Sequence, residues 1–304
     1  MICGIVLLDK PLGLSSSGAT QRVRRLLSGI KAGHVGSLDP LATGMLPICL
    51  GEATKLAGEI LEGRKIYRFI LRLGTRTATG DAEGEIIEQA PAGVVTAAAL
   101  DSACSGLLGE IVQVPPMYSA IKQGGQPLYR LARAGKTVER SPRTIRIDSL
   151  VPLSLGPQDI EMRVVCSKGT YVRVLAEDLA VRLGTVGHVA QLRRESVEPF
   201  DPAAMITLDH LAAEVTAGTV LPVIPADQAV AHLAAVALDA GATRRLLHGQ
   251  PVHAPTADGP VRAVDTTLRL YGADTTFLGL GLAAAGNWVN PKRLFVLVGP
   301  QGSE

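Results

Sequence analysis

No stretch of this chain limits its folding options more than Gly33-His34-Val35-Gly36-Ser37-Leu38-Asp39-Pro40-Leu41-Ala42-Thr43-Gly44. Three glycines and a proline so close together argue against a helix interior or a central strand, because glycine costs backbone entropy and proline lacks an N–H. The segment is therefore a loop, and the apolar runs on either side must supply its scaffold. Pro40 biases Asp39 toward extended backbone. Asp39 is also the only acid between Pro11 and Gly51, a span that holds Arg22, Arg24, Arg25 and Lys31. A short carboxylate presented this way is either aimed at a partner or simply begins an Asp-Pro turn. The residue pattern leaves both open.

At 304 residues the chain can form one large domain or two of ordinary size. Hydrophobic residues at 47% and charged ones at 19% favour a sizeable core over extensive disorder. Cys3, Cys49, Cys104 and Cys166 form no Cys-x-x-Cys and no His pairing at metal spacing, which suits a reducing compartment. Ile2–Leu8 has no basic leader and meets Asp9-Lys10 too soon for a signal peptide. The uncharged run Thr275–Pro291 contains Gly, Asn and Pro and is too polar for a bilayer span. A cytoplasmic protein without a membrane partner is expected.

The net charge of +2 becomes informative once it is divided along the chain. Residues 1–200 hold 24 Lys and Arg against 19 Asp and Glu, whereas residues 201–304 hold 6 against 9. Within the first part, residues 115–146 carry Lys122, Arg130, Arg133, Lys136, Arg140, Arg143 and Arg146 against Glu139 alone. Two basic segments, this one and residues 10–36, are either tracks for a polyanion or solvated helix faces.

Periodicity supplies the scaffold. Ile2–Leu8 reads as a buried strand, and Ser15–Ser17 as caps for a helix through about Leu27 rather than as nucleophiles, since no Gly-x-Ser-x-Gly elbow is present. Met45–Leu50 is a strand and Glu52–Leu61 a helix. Lys65–Leu73 alternates as a strand with Tyr67, Phe69, Leu71 and Leu73 on one side. Asp81–Gly84 is a turn before a short strand at Glu85–Glu88, and Thr96 caps a helix ending near Gly109. Residues 115–143, broken by Pro115-Pro116, Gly124-Gly125 and Gly135, form an excursion with a short Leu128–Ala134 helix. Its Tyr118 and Tyr129, set among basic residues, suit stacking on unpaired bases. Ile145–Leu155 and Ile160–Cys166 are strands, Tyr171–Leu183 a helix capped by Thr170, His188–Leu192 a strand and Leu208–Val215 a helix. Val220–Asp227, with Pro222 and Pro225, reads as a linker. Strand-like runs near Arg262–Val264, Phe277–Leu282 and Leu294–Val298 make the tail a small, mostly β module.

Several pieces then matter together. They are Leu8-Asp9-Lys10-Pro11-Leu12-Gly13, the Asp39 loop, Lys65-Ile66-Tyr67-Arg68, Gly80-Asp81-Ala82-Glu83-Gly84, Pro116–Lys122, Cys166-Ser167-Lys168-Gly169-Thr170-Tyr171-Val172-Arg173, and Gln191-Leu192-Arg193-Arg194. In this order they resemble the bacterial tRNA pseudouridine-55 synthase (TruB) family, from Ile5 to about Leu211 and more weakly through the tail. Val35 departs from the family's common Thr and Ala78 from its frequent Asp. The resemblance implies an α/β (α+β) fold: a mixed, largely antiparallel sheet flanked by helices, with a small C-terminal PUA-like β domain. It places the catalytic domain at 1–226, an RNA-gripping insertion at 115–143 and the RNA-binding domain at 227–304. It further implies a monomer that isomerises one T-loop uridine of tRNA with neither metal nor cofactor.

The resemblance also assigns roles. Asp39 matches the catalytic aspartate, Arg173 the arginine that pairs with it, and Tyr67 the active-site tyrosine that stacks on the base. Tyr171 and Leu192 match pocket-lining positions, His34 a histidine that helps flip the uridine, and Lys10 and Pro11 a motif supporting the loop. Asp81 matches an acid near the site. Lys122 and Arg133, in the excursion, are expected to contact RNA. A carboxylate in this setting can act as nucleophile or abstract a proton. Two other classes fit less of the chain. Phosphoryl transfer through an aspartyl phosphate wants Mg²⁺ held by further acids, which Asp39 lacks among its neighbours. A non-catalytic RNA-binding module would use the same basic tracks, and only activity distinguishes it. If the excursion contacts RNA, Arg133→Glu weakens RNA binding and flattens its salt dependence; affinity titrations showing no change at low salt would contradict this.

Overall fold

The computed structural model describes residues 2–254 and 263–295. Its first strand, β1 (Gly4–Lys10), is apolar from Ile5 through Leu8 because both of its faces are covered. Helix α1 (Ser16–Leu26) begins where the Ser15 hydroxyl accepts the Gly18 N–H at 3.1 Å. β2 (Ala32–His34) and β3 (Ala42–Leu50) flank the Asp39 loop, and a 3-10 turn at Gly51–Leu56 leads into α2 (Ala57–Glu62). There follow β4 (Lys65–Leu73), the small pair β5 (Thr75–Thr77) and β6 (Ile86–Gln89), α3 (Ala97–Ser105) and β7 (Gly109–Gln113). The excursion contributes a two-residue hairpin, β8 (Lys122–Gln123) and β9 (Gln126–Pro127), turned at Gly124-Gly125, and α4 (Leu128–Arg133). Then come β10 (Arg143–Leu155), β11 (Asp159–Cys166), α5 (Val172–Arg182), β12 (Gly187–Val197) and α6 (Leu208–Ala217).

An eight-stranded sheet runs β1-β3-β12-β4-β11-β10-β7, with β2 as a further partner of β3. Every pairing is antiparallel except β3 with β12. Alternation on β4 turns Tyr67, Phe69, Leu71 and Leu73 into the core. Its Arg68 and Arg72 face outward: the register sets Arg72 opposite Asp159 on β11 (2.7 Å), and Arg68 reaches diagonally to Glu161 (2.6 Å). Beneath the inner face lie Val23 of α1, Leu100 of α3, Leu175 and Leu179 of α5, and Leu211 of α6.

The C-terminal module consists of β13 (Ala234–Ala237), α7 (Ala240–Leu247), β14 (Val252–His253), β15 (Thr267–Tyr271), β16 (Phe277–Ala284) and β17 (Trp288–Leu294). Its five strands order as β13-β15-β16-β17-β14. Val236, Leu246, Leu268, Leu270 and Val289 form a core of its own. Leu280 and Phe295 instead pack with Ile5, Leu7, Met45 and Ile60 on the other face of the β1–β3 corner.

Four local expectations change. Gly33-His34 and Ala42–Gly44, expected as loop, belong to β2 and β3, which leaves residues 35–41 as the loop itself. The helix after Thr96 stops at Ser105, and Gly109–Gln113 is an edge strand paired with β10. Thr170 does not cap α5: its hydroxyl turns back to the Ser167 carbonyl at 3.0 Å, and Tyr171 holds the N-cap position. The proline-bearing run at 220–227 is no loose tether, since Ile224 exchanges both backbone hydrogen bonds with Ile5 at 2.8 Å. Of the expected strand runs in the tail, Phe277–Leu282 lies in β16 and Leu294 ends β17, whereas Val264 lies in a turn and not a strand; Arg262 and residues 296–298 fall outside the described residues. Among the described residues no helix is long and apolar enough to cross a membrane.

Gly44 carries the tightest backbone approach near the loop. Its φ is +98°, and a Cβ there would stand 2.2 Å from the Arg194 carbonyl oxygen on β12. Gly44→Ala is therefore expected to destabilise the fold by about 3 kcal/mol or more, combining strain with overpacking. Urea unfolding checks this; a wild-type midpoint would contradict it.

Candidate active site

The Asp39 loop leaves the sheet at a discontinuity. On one edge of β3, β12 pairs with Ala42–Gly44 and β2 with Ile48–Leu50, and between them β3 has no strand beside it. Residues 35–41 emerge there and are pinned from several directions. The Val35 N–H donates to the Pro47 carbonyl (2.9 Å), and Gly13 N–H to the Pro40 carbonyl (2.8 Å). The buried Ser16 hydroxyl accepts from Leu38 N–H at 2.7 Å and donates to Leu38 O at 2.9 Å. Lys10, fully buried, donates to the carbonyls of Pro11, Leu14 and Pro40. It lies beneath the loop and braces it.

Arg173 stands in the first turn of α5, where a cation opposes the helix dipole, so its partners explain its place better than the helix does. Its Nη2 lies 3.0 Å from an Asp39 carboxylate oxygen, and Nε lies 3.6 Å from Asp81. The same guanidinium donates to the carbonyls of Thr79 and Tyr118, each at 2.7 Å. One buried side chain thus ties the Asp39 loop, the acidic turn, the root of the excursion and α5. Asp81, itself buried, accepts from the Thr79 hydroxyl at 2.5 Å and from Glu83 N–H at 3.1 Å. The Asp39 side chain remains 40% open. Enclosure in the cleft pushes its carboxyl above the ordinary 3.8; the Arg173 cation opposes the rise and Asp81 adds to it.

Two cavities meet at this pair. One, of about 580 Å³, is lined by Tyr67, Tyr171, Leu192, Lys65 and Arg194. The other, of about 760 Å³, is lined by His34, Asp81, Glu83, Tyr118, Tyr129 and Arg133. Asp39 and Arg173 line both. The residues expected at the site therefore gather on two sides of one carboxylate, with Lys10 below. Lys122 does not join them: it sits exposed on β8 and lines neither cavity.

Burial raises the Tyr67 hydroxyl above its ordinary 10, with the Arg194 charge opposing. Tyr171 is clasped by the buried Gln113, which accepts from its N–H (3.0 Å) and donates to its carbonyl (3.4 Å). His34 Nδ1 is buried without a hydrogen-bond partner, and burial together with Arg194 lowers its pKa, favouring the neutral ring. Gln113 and Arg194 escaped sequence reasoning. Alternation on the strand carrying Arg193-Arg194 could have shown that one of the two points inward with Leu192.

Residues 24–172 match the family model described as TruB family pseudouridylate synthase (N terminal domain). Residues 173–230 match the tRNA pseudouridylate synthase B C-terminal domain, and 234–295 the C-terminal model of pseudouridine synthase II TruB. A tRNA pseudouridine synthase B of Burkholderia mallei is 46% identical over 294 residues, covering 96% of this chain and 97% of that one. The chain belongs to the TruB family. A second TruB relative, the tRNA pseudouridine synthase B of Stutzerimonas stutzeri, is 45% identical over 302 residues, covering 96% of this chain and 95% of its own. Among solved structures, a Cbf5-Nop10-Gar1 complex contains a chain that matches with a TM-score of 0.74 at 24% identity, covering 96% of this chain and 85% of that one. That likeness speaks for the fold.

Burial pulls the Lys10 amine down to about 8, against the attraction of Asp39. Its folded value lies below the unfolded 10.5, so the buried charge costs stability at neutral pH, and the cost is relieved as pH rises from about 8 toward 10.5. Wild-type unfolding free energy is expected to gain on that of Lys10→Met across this window. A pH-independent difference in denaturant titrations would contradict it.

Proposed function

We propose that this chain, a pseudouridine synthase, isomerises uridine 55 in the T-loop of tRNA, with Asp39 as the essential carboxylate. The observation that carries the reading is the 3.0 Å Asp39–Arg173 pair standing between two cavities. A target base must leave its stack before an enzyme can work on its glycosidic bond. The cavity lined by Tyr67, Tyr171 and Leu192 offers an apolar, aromatic receptacle for it. The larger cavity holds the RNA loop left behind, with His34 at the vacated position and Tyr129 and Arg133 beside the strand. Arg133 lies over the Tyr129 ring at 5.8 Å, a cation–aromatic pair suited to nucleic acid.

The reaction breaks the bond from C1′ to N1, turns the uracil over and joins C5 to C1′, after which C5 gives up its proton and the freed N1 takes one up. Attack on C1′, attack on C6 and abstraction of a ribose proton all begin from the ionised carboxylate. Arg173 holds that charge and aims it. Tyr67 lies against the base, and its buried hydroxyl remains protonated at neutral pH. Atoms and oxidation state are unchanged overall, so these groups suffice without metal or cofactor. Free cysteines fit action in the cytoplasm. The chain acts as a monomer with its catalytic domain at 1–226, the excursion at 115–143 gripping the T-arm, and the PUA-like module at 227–304 extending the RNA contact.

Tritium release from 5-tritiated uridine in T-loop RNA tests the reading. Wild type is expected to release tritium and Asp39→Asn to fall by at least about 1,000-fold, as loss of a reacting group does. Because Asp39 must be ionised and its pKa is raised, activity falls on the acid side at a pH above 3.8. Comparable release by Asp39→Asn would overturn the assignment.

A further inference from the structure

The buried arginine on β12 has no part in the steps above. Arg194 is 1% exposed and lines the cavity assigned to the base. Its backbone lies between Tyr67 of β4 and Gly44 of β3. Its side chain enters the gap where β3 has lost β12 and not yet met β2. There Nε donates to the Met45 carbonyl at 2.7 Å and Nη2 to the Gly36 carbonyl at 2.8 Å. Its charge also bears on the Tyr67 hydroxyl, and both residues line the same cavity.

This guanidinium therefore takes the place of missing backbone partners and does more. Its rigid fork fixes two acceptors, on β3 and on the Asp39 loop, relative to one another, while its charge acts on the Tyr67 hydroxyl of β4. Gly36 makes the approach possible: at φ +70°, a Cβ there would stand 3.2 Å from Arg194 Nη1. No ion pair among the described residues includes Arg194. A buried cation without a counter-ion is a costly way to fill space, and its two carbonyl acceptors and the Tyr67 hydroxyl border the reacting groups.

We propose that Arg194 is a positioning residue for the isomerisation, setting the Tyr67 hydroxyl and the Gly36 side of the Asp39 loop at a fixed separation across the base cavity. This rests on the reading of Asp39 as the reacting carboxylate, and the test separates the two. Single-turnover tritium release and RNA affinity are measured for wild type, Asp39→Asn, Tyr67→Phe, Arg194→Met, Arg194→Lys, and Tyr67→Phe combined with each Arg194 variant. Arg194→Met is expected to slow the chemical step about 100-fold and Arg194→Lys about tenfold, with RNA affinity changed by no more than about twofold. Added to Tyr67→Phe, either change is expected to cost less than it does alone, because part of the effect of Arg194 passes through the neighbouring Tyr67 hydroxyl.

Should circular dichroism show Arg194→Met unfolded, the lysine variants decide by the same criteria. Rates within about twofold of wild type, a loss lying wholly in RNA affinity, or losses that multiply independently overturn the proposal. If that happens while Asp39→Asn is inactive, the reading of Asp39 stands and only the role of Arg194 falls. An active Asp39→Asn overturns both.

Discussion

The contact between the Arg173 guanidinium and the Asp39 carboxylate is the constraint on which the site depends. Taking two charges out of water costs several kcal/mol per ion, and their attraction offsets that only with good geometry and further hydrogen bonds. Here the arginine is buried and makes additional bonds to Thr79 and Tyr118, while the aspartate stays partly open. The asymmetry matters chemically. A fully paired, sealed carboxylate would be inert; a solvated one would be undirected. Holding the arginine rigidly and leaving the acid accessible gives a charge that is aimed and still available.

The sheet explains how one loop can carry that acid. Continuous backbone pairing would absorb residues 35–41 into a strand. The change of partner along β3 releases them, and side chains then replace the lost ladder: Lys10 and Ser16 from one side, Arg194 from the other. The one parallel pairing of this eight-stranded sheet, β3 with β12, brings Leu192 and Arg194 beside the start of β3.

Much of this was legible in the chain because local physics decided it. Alternation wrote β4, the Ser15 hydroxyl started α1, and the isolation of Asp39 among cations singled it out. Family resemblance then joined Asp39 to Arg173, distant in sequence. What escaped notice was set by long-range partners. β7 is half exposed and exists through its pairing with β10. Alternation sets Arg194 on the same side as Leu192, but the gap in β3 that receives its guanidinium is reported by no periodicity. Lys122 counted toward a basic track yet lines neither cavity, since a charge census carries no direction. The prolines near residue 224 suggested a tether, but a neighbouring strand supplied both of Ile224's hydrogen bonds.

That last seam has a mechanical consequence. Ile224 is stitched to Ile5, Lys292 reaches Glu59 at 2.7 Å, and Leu280 and Phe295 share a core with β1 and β3. Bending the C-terminal module away would tear apolar surface into water, so it behaves as a fixed outrigger rather than a swinging arm. An RNA that touches both the Asp39 cleft and this module meets two points at a preset distance, like the jaws of a gauge. Folded shape, and not sequence alone, then decides which molecules can seat.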